Sequence, residues 1–94
     1  MPINLTVRQR LLDAARDVQI REILTFLYRD QPQGASCENL KDLLFLPEAF
    51  EESNLTQLVE EKLLGYDGKR YKITADTRQV LDRDPTILMD EFLR

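Results

Sequence analysis

The side chains able to do chemistry are few, and their spacing argues against an enzyme. Glu60 and Glu61 are neighbours, and neighbours on a helix diverge by about 100°. They therefore make a solvated face more readily than an acid/base pair. Cys37 has no histidine to activate it, because the chain contains none. It falls in an apolar stripe and is expected to be a small packed residue. One cysteine and no histidine also leave the usual zinc ligand sets unavailable. Gly34, Gly65 and Gly68 are isolated, so no phosphate-cradling loop is present. The expectation is a domain with no catalytic site and no cofactor.

What remains is charge and hydrogen-bonding capacity. Lys69, Arg70 and Lys72 cluster beside an Asp67-Gly68 turn, either to meet phosphate or to protect a strand edge with charge. The segment 48–61 holds Glu48, Glu51, Glu52, Glu60 and Glu61 and no basic residue. Five further basic residues, Arg8, Arg10, Arg16, Arg21 and Arg29, lie in the N-terminal third. The net charge of −4 works against any partner held mainly through phosphates, since such proteins usually carry a basic surplus.

Ninety-four residues, 43% apolar and 32% charged, suit one globular domain over 1–94 with a modest core. No apolar run approaches the ~20 residues that span a bilayer. The opening residues lack the basic and apolar stretches of a secretion signal, and a lone cysteine fits a reducing compartment. A cytoplasmic protein is expected.

Thr6 and Gln9 have capping-box spacing and are expected to open a first helix carrying Val7, Leu11, Ala14, Ala15 and Val18. Ile20, Ile23, Leu24 and Leu27 form a second apolar set on a roughly opposite face. Two solutions follow: a break near Arg16-Asp17 with Asp17 as a new cap, or one long helix with two faces. The second face packs in the same core or serves as a dimerisation arm. Gln31–Gly34 reads as a loop. Ser36 caps the next helix, whose buried stripe is Cys37, Leu40, Leu43 and Leu44. Pro47 starts a short turn over residues 47–52, and Ser53 or Asn54 then caps a helix with Leu55, Leu58, Val59 and Leu63 inside. Thr56, Gln57, Glu60 and Glu61 face outward. Phe50 is either an exposed binding aromatic or a local staple against Leu46 or Leu44.

Asp67-Gly68 between two strand-like runs signals a type I′ hairpin. A two-residue turn pairs Tyr66 with Lys69 and Leu64 with Tyr71, placing Leu64, Tyr71 and Ile73 inside and Arg70 and Lys72 outside. Thr74 or Asp76 starts another helix with Val80 and Leu81. Asp84-Pro85 opens a tail bearing Ile87, Leu88, Met89, Phe92 and Leu93, which packs on the first helix or across a dimer.

The fold class expected is α+β, mostly α. Three helices, a hairpin and a further helix follow the order of a winged helix-turn-helix. From about Ile20 to Leu81 the chain resembles compact bacterial winged-helix regulators of the MarR, ArsR and PadR type, most closely along Leu55–Thr74. An N-terminal helical arm (6–18) and a C-terminal tail (84–94) flank that core. The resemblance implies that Ser53, Asn54, Thr56 and Gln57 face the major groove of double-stranded DNA. It likewise makes Lys69, Arg70 and Lys72 a wing touching the backbone. It further implies a homodimeric transcriptional regulator. The acidic 48–61 segment departs from that pattern, as does the long Phe45–Glu52 connection. The alternative is a protein-interaction module whose acidic helix meets a basic partner, as an anti-repressor, a DNA-mimic-like factor or an assembly subunit.

Overall fold

A computed structural model describes residues 2–88, with side chains from residue 6 onward. Five α-helices and one two-stranded antiparallel sheet follow in the order α1 (Pro2–Ala14), α2 (Val18–Arg29), α3 (Cys37–Leu43), α4 (Glu52–Glu60), β1 (Leu64–Tyr66), β2 (Tyr71–Ile73) and α5 (Ala75–Arg83). A 3₁₀ turn, Pro85–Leu88, comes last. The domain is thus a small, mostly helical α+β unit. None of the described helices is long and apolar enough to cross a membrane.

The two apolar faces near the N-terminus belong to separate helices. The Asp17 carboxylate accepts from the Gln19 and Ile20 amides at 2.9 and 3.4 Å and caps α2. This satisfies two amide donors that a helix start otherwise leaves unpaired. The break lets Val7, Leu11 and Ala15 share one core with Ile20, Ile23, Leu24 and Leu27. Val18 stays outside, more than half exposed. The capping-box start at Thr6 is corrected: α1 already runs from Pro2, so Thr6 lies within it.

Ser36 caps α3 as its sequence implies, accepting from the Asn39 amide at 3.1 Å. The expected stripe on α3 is only partly buried. Leu40 is fully enclosed and Leu44 partly, but Leu43 is 53% exposed. The cause lies in how α3 stops. Phe45 adopts φ +52°, and the Leu46 amide donates to the Lys41 carbonyl at 3.1 Å. This is a Schellman ending with a phenylalanine where glycine is usual. The Phe45 ring is left 90% exposed. The chain then turns over Pro47–Phe50, with the Phe50 amide donating to the Pro47 carbonyl at 2.9 Å. That turn carries Phe50 into the core at 4% exposure, so the exposed aromatic of this connection is Phe45.

The boundary of α4 also shifts. Its N-cap is Glu51, without a side-chain cap, and Ser53 and Asn54 sit inside the first turn rather than before it. Leu55 and Leu58 are buried while Thr56, Gln57 and Glu60 face outward. A second Schellman ending closes α4. Lys62 takes φ +68°, and the Lys62 and Leu63 amides donate to the Val59 and Leu58 carbonyls at 3.0 Å each.

The hairpin forms with a register different from the expected one. Tyr66 pairs with Tyr71, Gly65 with Lys72 and Leu64 with Ile73, so four residues make the loop. A type I′ turn needs positive φ at both central residues, but only Gly68 has it here, at +99°. Asp67 instead uses its carboxylate to accept from the Lys69 and Arg70 amides at 2.9 and 2.8 Å. Each partner is displaced by two residues, which preserves the alternation of faces. Leu64, Tyr71 and Ile73 are accordingly buried and Lys72 exposed.

One contact invisible to periodicity docks the hairpin on the body. Ala35 bridges Tyr71 through two backbone hydrogen bonds of 2.9 and 2.7 Å. Gly34 makes the approach possible. A Cβ there would lie 2.9 Å from the Tyr71 carbonyl oxygen, and its φ is +102°. Thr74 then caps α5 and donates to the Lys62 carbonyl at 2.9 Å. Thr77, fully buried, donates to the Leu63 carbonyl at 3.1 Å. The 3₁₀ turn packs on α2 and α5 and buries Ile87, while α5 packs on α1. Met89, Phe92 and Leu93, expected in the tail, lie outside the described residues.

Two substitutions test this account by urea denaturation. Phe45→Gly should be neutral or stabilising by about 1 kcal/mol, because it relieves a left-handed conformation that costs an L-residue roughly 1–2 kcal/mol. Gly34→Ala should destabilise by about 1–3 kcal/mol, from the positive φ and the close carbonyl together. A destabilising Phe45→Gly would show that the ring is held by contacts absent from this fold.

Candidate nucleic-acid interface

The candidate residues divide between two surfaces, the outer face of α4 and the hairpin loop. On α4, each hydroxyl is already engaged. Thr56 Oγ1 donates to the Glu52 carbonyl at 3.3 Å, and Ser53 Oγ lies 3.4 Å from Glu51 Oε2 as its donor. Asn54 and Gln57 line an open groove of about 280 Å³ that α4 shares with the α1–α2 corner. The same groove is also lined by Asp13 and Asp17 from the α1–α2 corner and by Glu61 at the end of α4. A phosphate entering there would meet carboxylates, which repel it most where water is partly excluded.

The hairpin loop has the opposite character. Lys69, Arg70 and Lys72 are exposed, and none forms a side-chain hydrogen bond or ion pair among the described residues. Four arginines elsewhere serve the fold. Arg8 pairs with Asp84 at 3.0 Å and joins α1 to the end of α5. Arg10 and Arg21 donate to the Glu61 and Ala15 carbonyls at 3.0 and 3.2 Å. Arg78 lies over the Tyr28 ring at 5.2 Å. The basic residues of the N-terminal third are therefore partly committed to internal contacts, and the hairpin cations are available to a partner.

Tyr71 fixes the hairpin relative to α4. Its hydroxyl donates to Glu52 Oε2 at 2.6 Å, and its ring stacks on Tyr66 with centroids 4.4 Å apart. Burial, followed by the hydrogen bond to Glu52, pushes the Tyr71 hydroxyl well above the ordinary tyrosine range. It stays a donor throughout the neutral range. Glu52 is thereby used to align the two candidate surfaces. The sequence offered no sign of that role, because Tyr71 and Glu52 lie 19 residues apart.

Cys37 is partly buried against the core. Burial, with a smaller push from the Glu52 charge, raises the Cys37 thiol above its usual value, which opposes formation of a reactive thiolate. Among the described residues no cluster of histidine, cysteine, aspartate or glutamate could hold a metal ion. No protein-family model matches the chain, nor does any curated protein or solved structure.

The Asp67 carboxyl is held below the usual carboxylate range by the Arg70 amide and then the Lys69 amide. A depressed folded pKa contributes stability above the unfolded value of about 3.9. That contribution is lost as pH falls through the lower folded value. Asp67→Ala should therefore destabilise the protein at pH 7, and the gap to wild type should close below about pH 4. Thermal melts of both proteins across that range measure it; a gap independent of pH would show that the carboxylate charge of Asp67 adds nothing to the loop's stability.

Proposed function

We propose that the chain is a winged helix-turn-helix domain that binds double-stranded DNA as a homodimer, as transcriptional regulators do, with no enzymatic activity. The observation that carries this reading is the exposed trio Lys69, Arg70 and Lys72 on a hairpin rigidly tied to α4. The bridge from Ala35 to Tyr71 supports the winged-helix assignment. It adds a third, single-residue strand ahead of α3 to a sheet whose hairpin acts as the wing.

Contact led by the wing follows from the charges. Cations meeting phosphate release counterions and gain affinity, whereas Asn54 and Gln57 of α4 share their groove with the carboxylates of Asp13, Asp17 and Glu61. Base reading by Ser53, Asn54, Thr56 and Gln57 is correspondingly secondary to backbone contact. The domain then resembles a backbone-tracking module more than a sequence reader with many groove contacts.

The acid-lined groove favours a second reading. Asp13, Asp17 and Glu61 beside two amide side chains suit a lysine- or arginine-rich protein segment. On that reading, Glu61→Lys with Asp13→Lys abolishes capture of the partner, and wing substitutions leave it unchanged.

Duplex binding followed by fluorescence anisotropy from low to moderate salt separates the two. The Lys69→Ala/Arg70→Ala/Lys72→Ala variant should bind at least tenfold more weakly at low salt. Its log–log salt slope should flatten by about 0.9 for each cation that meets a phosphate. An unchanged slope would remove the wing from the interface.

A further inference from the structure

We propose that the groove enclosed by α3, the 31–34 loop and the hairpin is a phosphodiester-binding site whose donors are Arg70, Asn39 and Gln31. The inference rests on the duplex reading above and names a part of the interface that lies off α4.

The groove is open, about 210 Å³, and is lined by the polar side chains of Gln31, Gln33, Asn39 and Arg70 together with Gly34, Ala35 and the apolar Leu43. It contains no carboxylate. Two other grooves differ in this respect. The α4 groove holds Asp13, Asp17 and Glu61, and the apolar one beside α2 holds Glu22 and Asp30.

Internal hydrogen bonds decide what its amides can offer a ligand. Ser36 Oγ donates to Asn39 Oδ1 at 2.7 Å, so Asn39 presents its Nδ2 hydrogens. Gln33 Nε2 donates to Gln31 Oε1 at 2.9 Å, so Gln31 presents its Nε2 hydrogens. Each of these oxygens thus has one of its two lone pairs engaged, while both hydrogens of each amide nitrogen stay free to donate. Arg70 adds a guanidinium, which matches paired phosphate oxygens. The ligand such a set fits is an oxyanion with several acceptor oxygens and no donors of its own.

Gly34 gives the arrangement its geometry. A Cβ built there would lie 3.2 Å from Lys72 Cβ and 3.3 Å from Arg70 Cβ. The bare backbone lets the 31–34 loop sit directly between the bases of two cationic side chains. The amide donors of the loop and of α3 thus share one face with the hairpin charge, and a backbone phosphate resting on Arg70 lies within the same groove.

Asn39→Asp and Gln31→Glu keep the shape and the internal acceptors while exchanging the donor for a carboxylate. Each should weaken binding to a labelled 20-base-pair duplex by about tenfold. Asn39→Ala and Gln31→Ala should weaken it severalfold and leave the salt slope unaltered, because they remove no charge. Arg70→Ala should lower affinity and flatten the slope by about 0.9. Melting curves for each variant confirm that it is folded. If wild-type protein does not bind duplex, the functional reading and this site fail together. If binding depends on Lys69 and Lys72 but is indifferent to Asn39→Asp and Gln31→Glu, the wing reading stands and this site is overturned.

Discussion

The backbone pair between Ala35 and Tyr71 is the constraint on which the arrangement of this domain depends. Two hydrogen bonds join a residue ahead of α3 to one in the hairpin, 36 positions later in the numbering. A two-stranded hairpin is marginal alone in water, so it must be held by something else. Ala35 supplies the edge pairing, Tyr66 stacks from β1, and Glu52 accepts the Tyr71 hydroxyl from α4. Tyr71 consequently links the α2–α3 connection, the hairpin and the first turn of α4. Removing any one of these contacts loosens the angle between the loop cations and the helix beside them.

Charge is distributed along the same division. Several arginines of α1, α2 and α5 are consumed in joining helices, through carbonyl contacts, one ion pair with Asp84 and stacking on Tyr28. Such exposed pairs are individually weak, typically 0–1 kcal/mol, and they position surfaces more than they stabilise them. Five acidic side chains fall within residues 48–61 around α4, and three exposed cations, Lys69, Arg70 and Lys72, sit together on the hairpin. A net charge of −4 therefore conceals two local fields of opposite sign.

Much of the fold was legible because its punctuation is local. Asp17, Ser36 and Thr74 each cap the helix that follows, and each has the side chain that such a cap requires. Other features depend on contacts distant in sequence. Periodicity put Leu43 inside and left Phe50 in doubt, because it cannot register a left-handed residue at Phe45 that redirects the chain. The hairpin register escaped for a related reason: Asp67 satisfies the loop amides with its own carboxylate, so the two-residue turn is never made. At the candidate site, Lys69, Arg70 and Lys72 stood out as a charge cluster. Gln31 and Asn39 did not, since neutral amides in a loop and on a short helix form no motif. They come into consideration as donors only through the hydrogen bonds that Ser36 and Gln33 make to their oxygens.

Amide hydrogen exchange at Ala35 and Tyr71 in the intact chain tests the central claim most directly. Both amides donate in the bridge, so the account predicts exchange slowed to the level of the Leu24 and Leu27 amides of the α2 core. The Ala35 and Tyr71 amides exchanging as fast as exposed loop amides would contradict it, because the hairpin would then move independently of the body.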